Sequence, residues 1–491
     1  MNPEREHHTD LGNAQRLVRR YGERMRYVPA WGRWIVWDGK RWALDKTGQV
    51  QRFAKDTVHR MHVEAVDARL DRSDARALSK WAFSSESQAH LAAMVALART
   101  ELDIPVLPEQ LDSDPYLFNV ENGTFDLRTG ELLEHDLANL ITKLAAVEGD
   151  TDATAEKLEA FLLEIMDGRA ELVGFIQRMV GYSMTGKVTE HVLLFLYGHG
   201  ANGKSTLMNV LLRLFGDYGQ QCEPELLIKK RGDAHPTGVA DLKGARLVSM
   251  SEIDAGRRMA ESLVKQLTGG DRIKARYMRE DFFEFEPTHK LWLMANHKPV
   301  VRGTDLAIWR RIKLVPFDVT IPDADQDPHL SEKLEAELPG ILNWAVQGCL
   351  DWQRDGLAPP DAVKVATKGY RTDMDTLAVF IEEHCTIAAN AYAEAKDLYD
   401  QYKSWADESG ERKQTNKVFG LELKERGFET RKDPRTRRLV YLGIGLDKGS
   451  EAKRSSSNVT PIENTHVGTN VNAASDRFGK DTVDSLLGGP T

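Results

Sequence analysis

Residues 190–215 read EHVLLFLYGHGANGKSTLMNVLLRLF. The run from His191 to Tyr197 is apolar and of strand length, which predicts a buried strand. Gly198 follows, then four residues, then Gly203, Lys204 and Ser205, the G-x-x-x-x-G-K-[ST] spacing of a phosphate-binding loop. Behind it Leu207, Val210, Leu211, Leu214 and Phe215 recur at helical spacing. The motif therefore has the strand–loop–helix setting it needs. Its glycines let backbone N–H groups wrap an anion, and the helix N-terminus adds positive potential there. His199, Gly200, Ala201, Asn202 and Thr206 belong to the same cradle. Lys204 is expected to reach the β- and γ-phosphates of ATP and Ser205 to ligate Mg2+.

At 491 residues the chain calls for two to four domains. No apolar run approaches the roughly 18 residues of a membrane helix, so no membrane partner is expected. The N-terminus MNPEREHHTD carries no signal peptide pattern. Cys222, Cys349 and Cys385 are far apart, which implies neither a zinc site nor a disulfide framework. A reducing cytoplasm, that of a bacterial host cell, is the expected home. A net charge of −9 argues against a histone-like coating protein but not against a nucleic-acid enzyme.

Upstream, Thr9 to Tyr27 predicts a helix. Trp34, Asp38-Gly39 and Trp42 predict a tryptophan-stapled β-hairpin. Residues 50–100 read as helical. Tyr116 to Asp136, with turns at Asn122-Gly123 and Thr129-Gly130, predicts a β-meander closing an N-terminal α+β domain at residues 1–150. Residues 151–186 read as a helical connector.

Downstream, RLVSMSEID (246–254) has the Walker B arrangement, a buried strand delivering acids beside the loop. Glu252 is expected to polarise the attacking water or help hold Mg2+, with Asp254 sharing the work. Arg272–Tyr277 and Phe282–Phe285 predict a hairpin crowded by Lys274, Arg276 and Arg279. Leu291–Ala295 predicts a buried strand that ends in Asn296, an amide able to position water beside the γ-phosphate. Asp305 to Phe317 places Arg310 and Arg311 at the start of another strand. Either guanidinium would neutralise transition-state charge in a neighbouring subunit's site.

In their order these elements resemble the superfamily-three helicases, and more closely the helicase part of satellite-phage and poxvirus-type primase–helicases. The resemblance rests on the phosphate loop, Glu252, GGDRIKARY…FEFEPTHK, LWLMANHKP and IWRRIKLVPF. Upstream it takes in TDLGNAQRL, WIVWDGKRW and NVENGTFDLRTGEL. It implies an α/β, P-loop AAA+-like ATPase core at residues 187–325, with ATP and Mg2+ as cofactors. It also implies a homo-hexameric ring moving 3′-to-5′. By carry-over Lys204 and Ser205 bind nucleotide and metal, Glu252 is the Walker B acid, Asn296 the sensor, and Arg310 or Arg311 the finger. The hairpin lines the ring pore and grips DNA, which gives Lys274, Arg276 and Arg279 that role. Longer relatives carry a primase domain ahead of this region. Here TDLGNA begins at residue 9, leaving no room for one, and primase activity is not expected.

Residues 326–375 read as a helical lid. Residues 376–447 read as three helices and a hairpin, resembling a winged helix. Between Glu411 and Arg438 ten Lys/Arg face five Asp/Glu, a footprint for phosphate contacts. Lys417 and Lys424 are candidates on the recognition helix, and Arg435, Arg437 and Arg438 on the wing. Residues 448–491 read as a disordered tail. The expected function is a ring-forming replicative DNA helicase of a phage or mobile element, acting on single-stranded and duplex DNA beside other replication proteins. Its main rival is an initiator ATPase that melts or marks an origin without processive unwinding. A small-molecule phosphotransferase is the other alternative, and the arginine pair argues against it.

Overall fold

The computed structural model describes residues 7–66, 71–229, 237–251, 254, 256–301, 306–410 and 413–447. The Walker B candidate Glu252 and the tail at 448–491 lie outside these. The chain divides into two units, residues 1–376 and 377–491.

The first unit begins with α1 (Asp10–Tyr21), capped where the Thr9 hydroxyl accepts from Gly12 N–H. Strands β1 (Met25–Val28), β2 (Arg33–Trp37) and β3 (Trp42–Leu44) form an antiparallel sheet. Trp42 is buried, and its indole N–H donates to Leu137 O at 2.9 Å. This tryptophan is core. Helices α2 (Gln49–Glu64), α3 (Arg72–Ser85) and α4 (Gln88–Ala98) fill the region read as helical. The meander follows as β4 (Leu117–Val120), β5 (Gly123–Asp126) and β6 (Glu131–Leu133). Asn119 is buried within it. Its amide donates to Lys40 O (3.0 Å) and Lys143 O (3.1 Å), and its oxygen accepts from Thr124 Oγ1. A buried amide so satisfied pins three segments together.

The packing draws no boundary at residue 150 or 186. Phe118, Phe125 and Leu127 of the meander region share one core with α5 (Glu156–Ile165), α6 (Ala170–Met184), β7 (Leu193–Tyr197) and α7 (Lys204–Phe215). Phe118 stacks on Tyr218 at 4.5 Å, and the Arg246 guanidinium sits 4.6 Å over the Tyr218 ring. The meander is thereby keyed to the far end of the loop-bearing helix.

The central sheet comprises β7, β8 (Gly219–Cys222), β9 (Leu247–Ser251), β12 (Lys290–Ala295) and β13 (Ile312–Pro316). Between them lie α8 (Thr237–Ala240), α9 (Glu261–Leu267), the hairpin β10 (Ile273–Ala275) and β11 (Phe283–Phe285), and α10 (Leu306–Trp309). The order is β13-β7-β12-β9-β8, and every pairing is parallel. β12 is buried throughout, as a central strand of a parallel sheet covered on both faces must be. All five C-terminal ends share one edge, where α/β sheets bind ligands.

The region read as a lid contains α11 (Leu330–Glu335), α12 (Leu338–Asp355) and α13 (Asp361–Asp373). α12 is a core helix. It meets α6 at Gly181 and Gly348, where a Cβ on Gly181 would fall 2.0 Å from Cys349 N and one on Gly348 would fall 2.2 Å from Gln177 O. Only glycine lets the backbones approach so closely. α13 lies against β13, with Thr367 Oγ1 accepting from Leu314 N–H at 3.0 Å.

The second unit contains α14 (Thr376–His384), β14 (Cys385–Glu394), α15 (Ala395–Glu408), α16 (Asn416–Glu425), β15 (Thr430–Lys432) and β16 (Leu439–Leu446). Its antiparallel sheet runs β14-β16-β15 over a core of Phe380, Tyr402, Trp405 and Phe419. The three helices and the hairpin lie where the pattern places them. The long strand β14 is the difference from expectation.

Candidate nucleotide site and the opposite edge of the sheet

The loop between β7 and α7 is held open by its flanks. Gly203 has φ +79°, and a Cβ there would lie 2.7 Å from Ile165 Cγ2 and 2.9 Å from Phe161 Cζ. Both contacts come from α5, which reads in sequence as a mere connector. At Gly198 a Cβ would fall 2.2 Å from Phe317 O. Ile321 N–H donates to Ala201 O at 2.8 Å, and Asn202 Nδ2 to Phe317 O at 3.3 Å. The segment after β13 thus latches the loop from the other side. Nothing in the residues Phe317 or Ile321 advertises this role; only the topology, which lays β13 beside β7, brings them there.

Inside the loop the Lys204 ammonium donates to Gly198 O (2.7 Å), His199 O (3.1 Å) and Asn202 Oδ1 (2.9 Å). Its three donors are all used. Burial lowers its pKa to about 8, because desolvation penalises the charged form. His199, Gly200, Ala201 and Ser205 are exposed. Among the described residues, no backbone N–H from His199 to Gly203 donates to a protein acceptor. Ser205 and Thr206 occupy the first turn of α7, whose N–H groups have no intrahelical partners. A ring of free N–H donors around a lysine is the donor set an oligophosphate requires, and Ser205 stands where a hydroxyl ligand to its divalent ion would.

The neighbouring strand ends complete this edge. Ala295 of β12 pairs with Tyr197 of β7, and Met294 with Ser251 of β9. Asn296, exposed, therefore follows directly at the level of the loop's first residue, between the loop strand and the strand that leads to residues 252–254. Asp254 is exposed and lies three residues beyond β9. Glu252 lies outside the described residues.

The two arginines are at the other edge. Leu193 N–H donates to Arg311 O at 2.9 Å, which levels Arg311 with the start of β7. The five residues of β13 separate it from the loop edge by roughly 16 Å at strand rise. Neither arginine spans that distance to its own loop. They also differ from each other. Arg311 is buried, donating from Nε to Thr268 Oγ1 (3.1 Å) and from Nη1 to Ala307 O (2.8 Å). The Arg310 side chain is exposed and has no protein partner among the described residues. The pair that sequence leaves unresolved is thus divided into one internal strut and one free cation.

The β10–β11 hairpin roots at this same edge. Thr268, three residues ahead of Asp271, takes the Arg311 bond on its hydroxyl and a His191 Nδ1 contact of 2.8 Å on its carbonyl. β11 runs within five residues into β12, so the hairpin and Asn296 sit at opposite ends of one continuous segment. Lys274, Arg276 and Arg279 are all exposed, and Arg279 takes φ +66° in the turn.

In the second unit, Lys417, Leu421 and Lys424 are exposed and share one face of α16 with the half-buried Gly420 at helical spacing. They form one wall of a groove of about 1070 Å3, with Asp397 and Asp400 of α15 on another. Arg437 and Arg435 are exposed in the β15–β16 turn, which the Asp433 carboxylate organises by accepting from Arg435 and Thr436 N–H. Those hydrogen bonds also hold that carboxyl below its usual range. Arg438, exposed just ahead of β16, pairs with Glu394 at 2.9 Å.

Residues 14–167 match the family described as D5 N terminal like, and residues 196–311 match a family of unknown function, DUF5906. A candidate helicase of Acanthamoeba polyphaga mimivirus is 28% identical over 326 residues, 61% of this chain and 34% of its own length. The chain is a relative of the D5-type primase–helicases. A candidate helicase of Frog virus 3 is 25% identical over 277 residues, covering 52% of this chain and 28% of that protein. A candidate primase of African swine fever virus is 24% identical over 213 residues, 42% and 22% of the two chains. The chain spans about a third or less of the length of these relatives. Among solved structures, the apo A form of the NrS-1 C-terminal region is similar with a TM-score of 0.49 at 10% identity, covering 85% of this chain and 95% of that one. No helix among the described residues is long and apolar enough to cross a membrane.

Proposed function

We propose that the protein is an ATP- and Mg2+-dependent replicative DNA helicase of a virus, phage or mobile element, with an AAA+-like core that works in a ring, six subunits being the expected number. The observation that carries this reading is the division of the sheet into two edges. The phosphate loop lies at the C-terminal edge, and the free Arg310 at the N-terminal edge, out of reach of its own loop. A guanidinium so placed serves a nucleotide only when a second copy brings its loop alongside. The relatives named as candidate helicases support the same reading.

In this scheme the loop N–H groups and Lys204 bind and orient the β- and γ-phosphates. Ser205 and Glu252 would hold Mg2+, which supplies charge neutralisation on the phosphates when bound. Glu252, with Asp254 nearby, orients the attacking water, and Asn296 positions it against the γ-phosphate. Arg310 of the adjacent copy stabilises the charge that develops. Asn296 reports the nucleotide state through β12 to the hairpin, where Lys274, Arg276 and Arg279 hold the DNA strand. Arg311 fixes the hairpin root through Thr268.

The second unit supports the rival initiator reading as well. Its order of helix, strand, two helices and a hairpin, with β14 pairing the last strand, fits a winged helix. Lys417, Lys424 and Arg437 present a duplex-binding face without needing a ring. A strand-displacement assay separates the two. ATP-driven displacement that vanishes in Lys204→Ala supports the helicase, whereas duplex-stimulated ATPase with no displacement supports the initiator.

A further inference from the structure

The hairpin carries an aromatic ring that its phosphate-binding role does not use. Strand alternation and the register Lys274↔Glu284 and Ala275↔Phe283 sort the side chains onto two faces. Ile273, Ala275, Phe283 and Phe285 face inward; Ile273, Ala275 and Phe285 are buried and Phe283 packs beside them. Lys274, Arg276, Phe282 and Glu284 face outward and are exposed. Phe282 stands 53% exposed, an apolar ring left in water beside charged side chains and the exposed Met278 of the turn. The hairpin beneath it is anchored. Tyr277 stacks on Phe283 at 5.3 Å, and its hydroxyl donates to Ala240 O at 3.3 Å.

Two cations stand over this ring. Lys274 Nζ lies 5.2 Å and Arg276 Cζ 4.8 Å from the Phe282 centroid. Glu280, Asp281 and Glu284 are close in sequence, yet none of Lys274, Arg276 and Arg279 forms an ion pair among the described residues. Arg272 and Glu286 pair instead with each other. The outward face thus offers an aromatic surface on an anchored base beside cations that no acid among the described residues neutralises. An unstacked base supplies a π-face for the ring, and its flanking phosphates supply anions for the cations. A duplex offers no such face, because its bases are stacked on each other.

We propose that Phe282 is a base-stacking residue for single-stranded DNA, with Lys274 and Arg276 taking the phosphates on either side of the stacked base. This rests on the DNA-motor reading above and adds a contact to the bases themselves. A ring of such hairpins grips a strand by its bases without reading sequence, since every base has a π-face.

The test compares the affinity of this 491-residue chain for oligothymidylate and for an abasic strand of equal length, in the presence of a non-hydrolysable ATP analogue. Wild type is expected to prefer the base-bearing strand about 10-fold or more. Phe282→Leu, which keeps an apolar side chain at the site, shrinks that preference to about twofold, and Phe282→Trp retains it. Lys274→Ala weakens binding to both strands alike and lowers the salt slope by about one. If wild type binds neither strand, the DNA-motor reading falls and this proposal with it. If wild type binds both strands equally, or if Phe282→Leu discriminates as wild type does or loses affinity equally on both, the proposal alone is overturned.

Discussion

At the C-terminal edge of the central sheet the lysine ammonium finds its acceptors within its own chain. Lys204 is closed onto Gly198, His199 and Asn202, and the loop is braced by Ile165 on one side and Phe317 on the other. At the N-terminal edge Arg310, Lys274 and Arg276 are exposed and have no acidic partner among the described residues. In the proposed function the first edge receives a small ligand, and the second presents charges whose complements would lie outside the chain, a phosphate on a neighbouring copy and a phosphate on a strand. Arg311 marks the border between them, being at the second edge but satisfied in the manner of the first.

The sharpest way to break this comparison is at Arg310. Arg310→Ala is expected to lower ATP turnover about 1000-fold while leaving nucleotide affinity unchanged, read by steady-state kinetics beside equilibrium titration. A variant that loses affinity in step with turnover would place Arg310 in its own subunit's pocket. At the finished edge, Gly203→Ala forces a side chain into a left-handed backbone position and against Ile165. Its cost is about 3 kcal/mol of stability or a collapsed loop, seen as a lower unfolding midpoint with weakened nucleotide binding. Arg311→Ala leaves Thr268 Oγ1 and Ala307 O without their donor. It is expected to lose about 2 kcal/mol of stability, a loss that Arg310→Ala does not share. Equal effects of the two substitutions on stability and on turnover would erase the distinction between strut and finger.

The smallest effect is a pH dependence. Burial lowers the Lys204 pKa to about 8 in the free protein, and a bound oligophosphate favours the charged form and raises it. Below about pH 8 the ammonium is already protonated, so this group leaves affinity flat. Above it, binding must also take up a proton, and affinity falls up to about 10-fold per pH unit. Calorimetry in buffers of different ionisation enthalpy should detect proton uptake above pH 8 and little below it. A flat profile would place the ammonium charged throughout.

Much of the fold is legible in the sequence, for local reasons. Strand, loop and helix around Lys204 are adjacent in sequence, and dipeptides such as Asn122-Gly123 and Asp38-Gly39 announce their own turns. Less legible was whatever depends on distant segments. Phe161, Ile165 and Phe317 brace the loop across the fold, so no spacing links them to it. The continuous core that joins the meander to α7 erases the boundary read at residue 150. The strand β14 hides in CTIAANAYAE because its alanines favour helix, and because Ile387 and Tyr392 face solvent, which blurs the alternation a half-buried strand shows. Phe282 was within reach. In DFFEFEP, Phe283 and Phe285 share one parity and Phe282 takes the other, so pairing the two buried rings sends Phe282 outward.

The central claim is that one copy's free arginine completes another copy's pocket. It is tested most directly by mixing two inactive variants. Lys204→Ala has no working pocket but still presents Arg310, while Arg310→Ala has a working pocket and no finger. The account predicts that the mixture, with ATP and single-stranded DNA, regains a substantial part of the wild-type ATPase rate although neither variant turns over alone. A mixture that co-assembles by size yet stays as inactive as its components would contradict it.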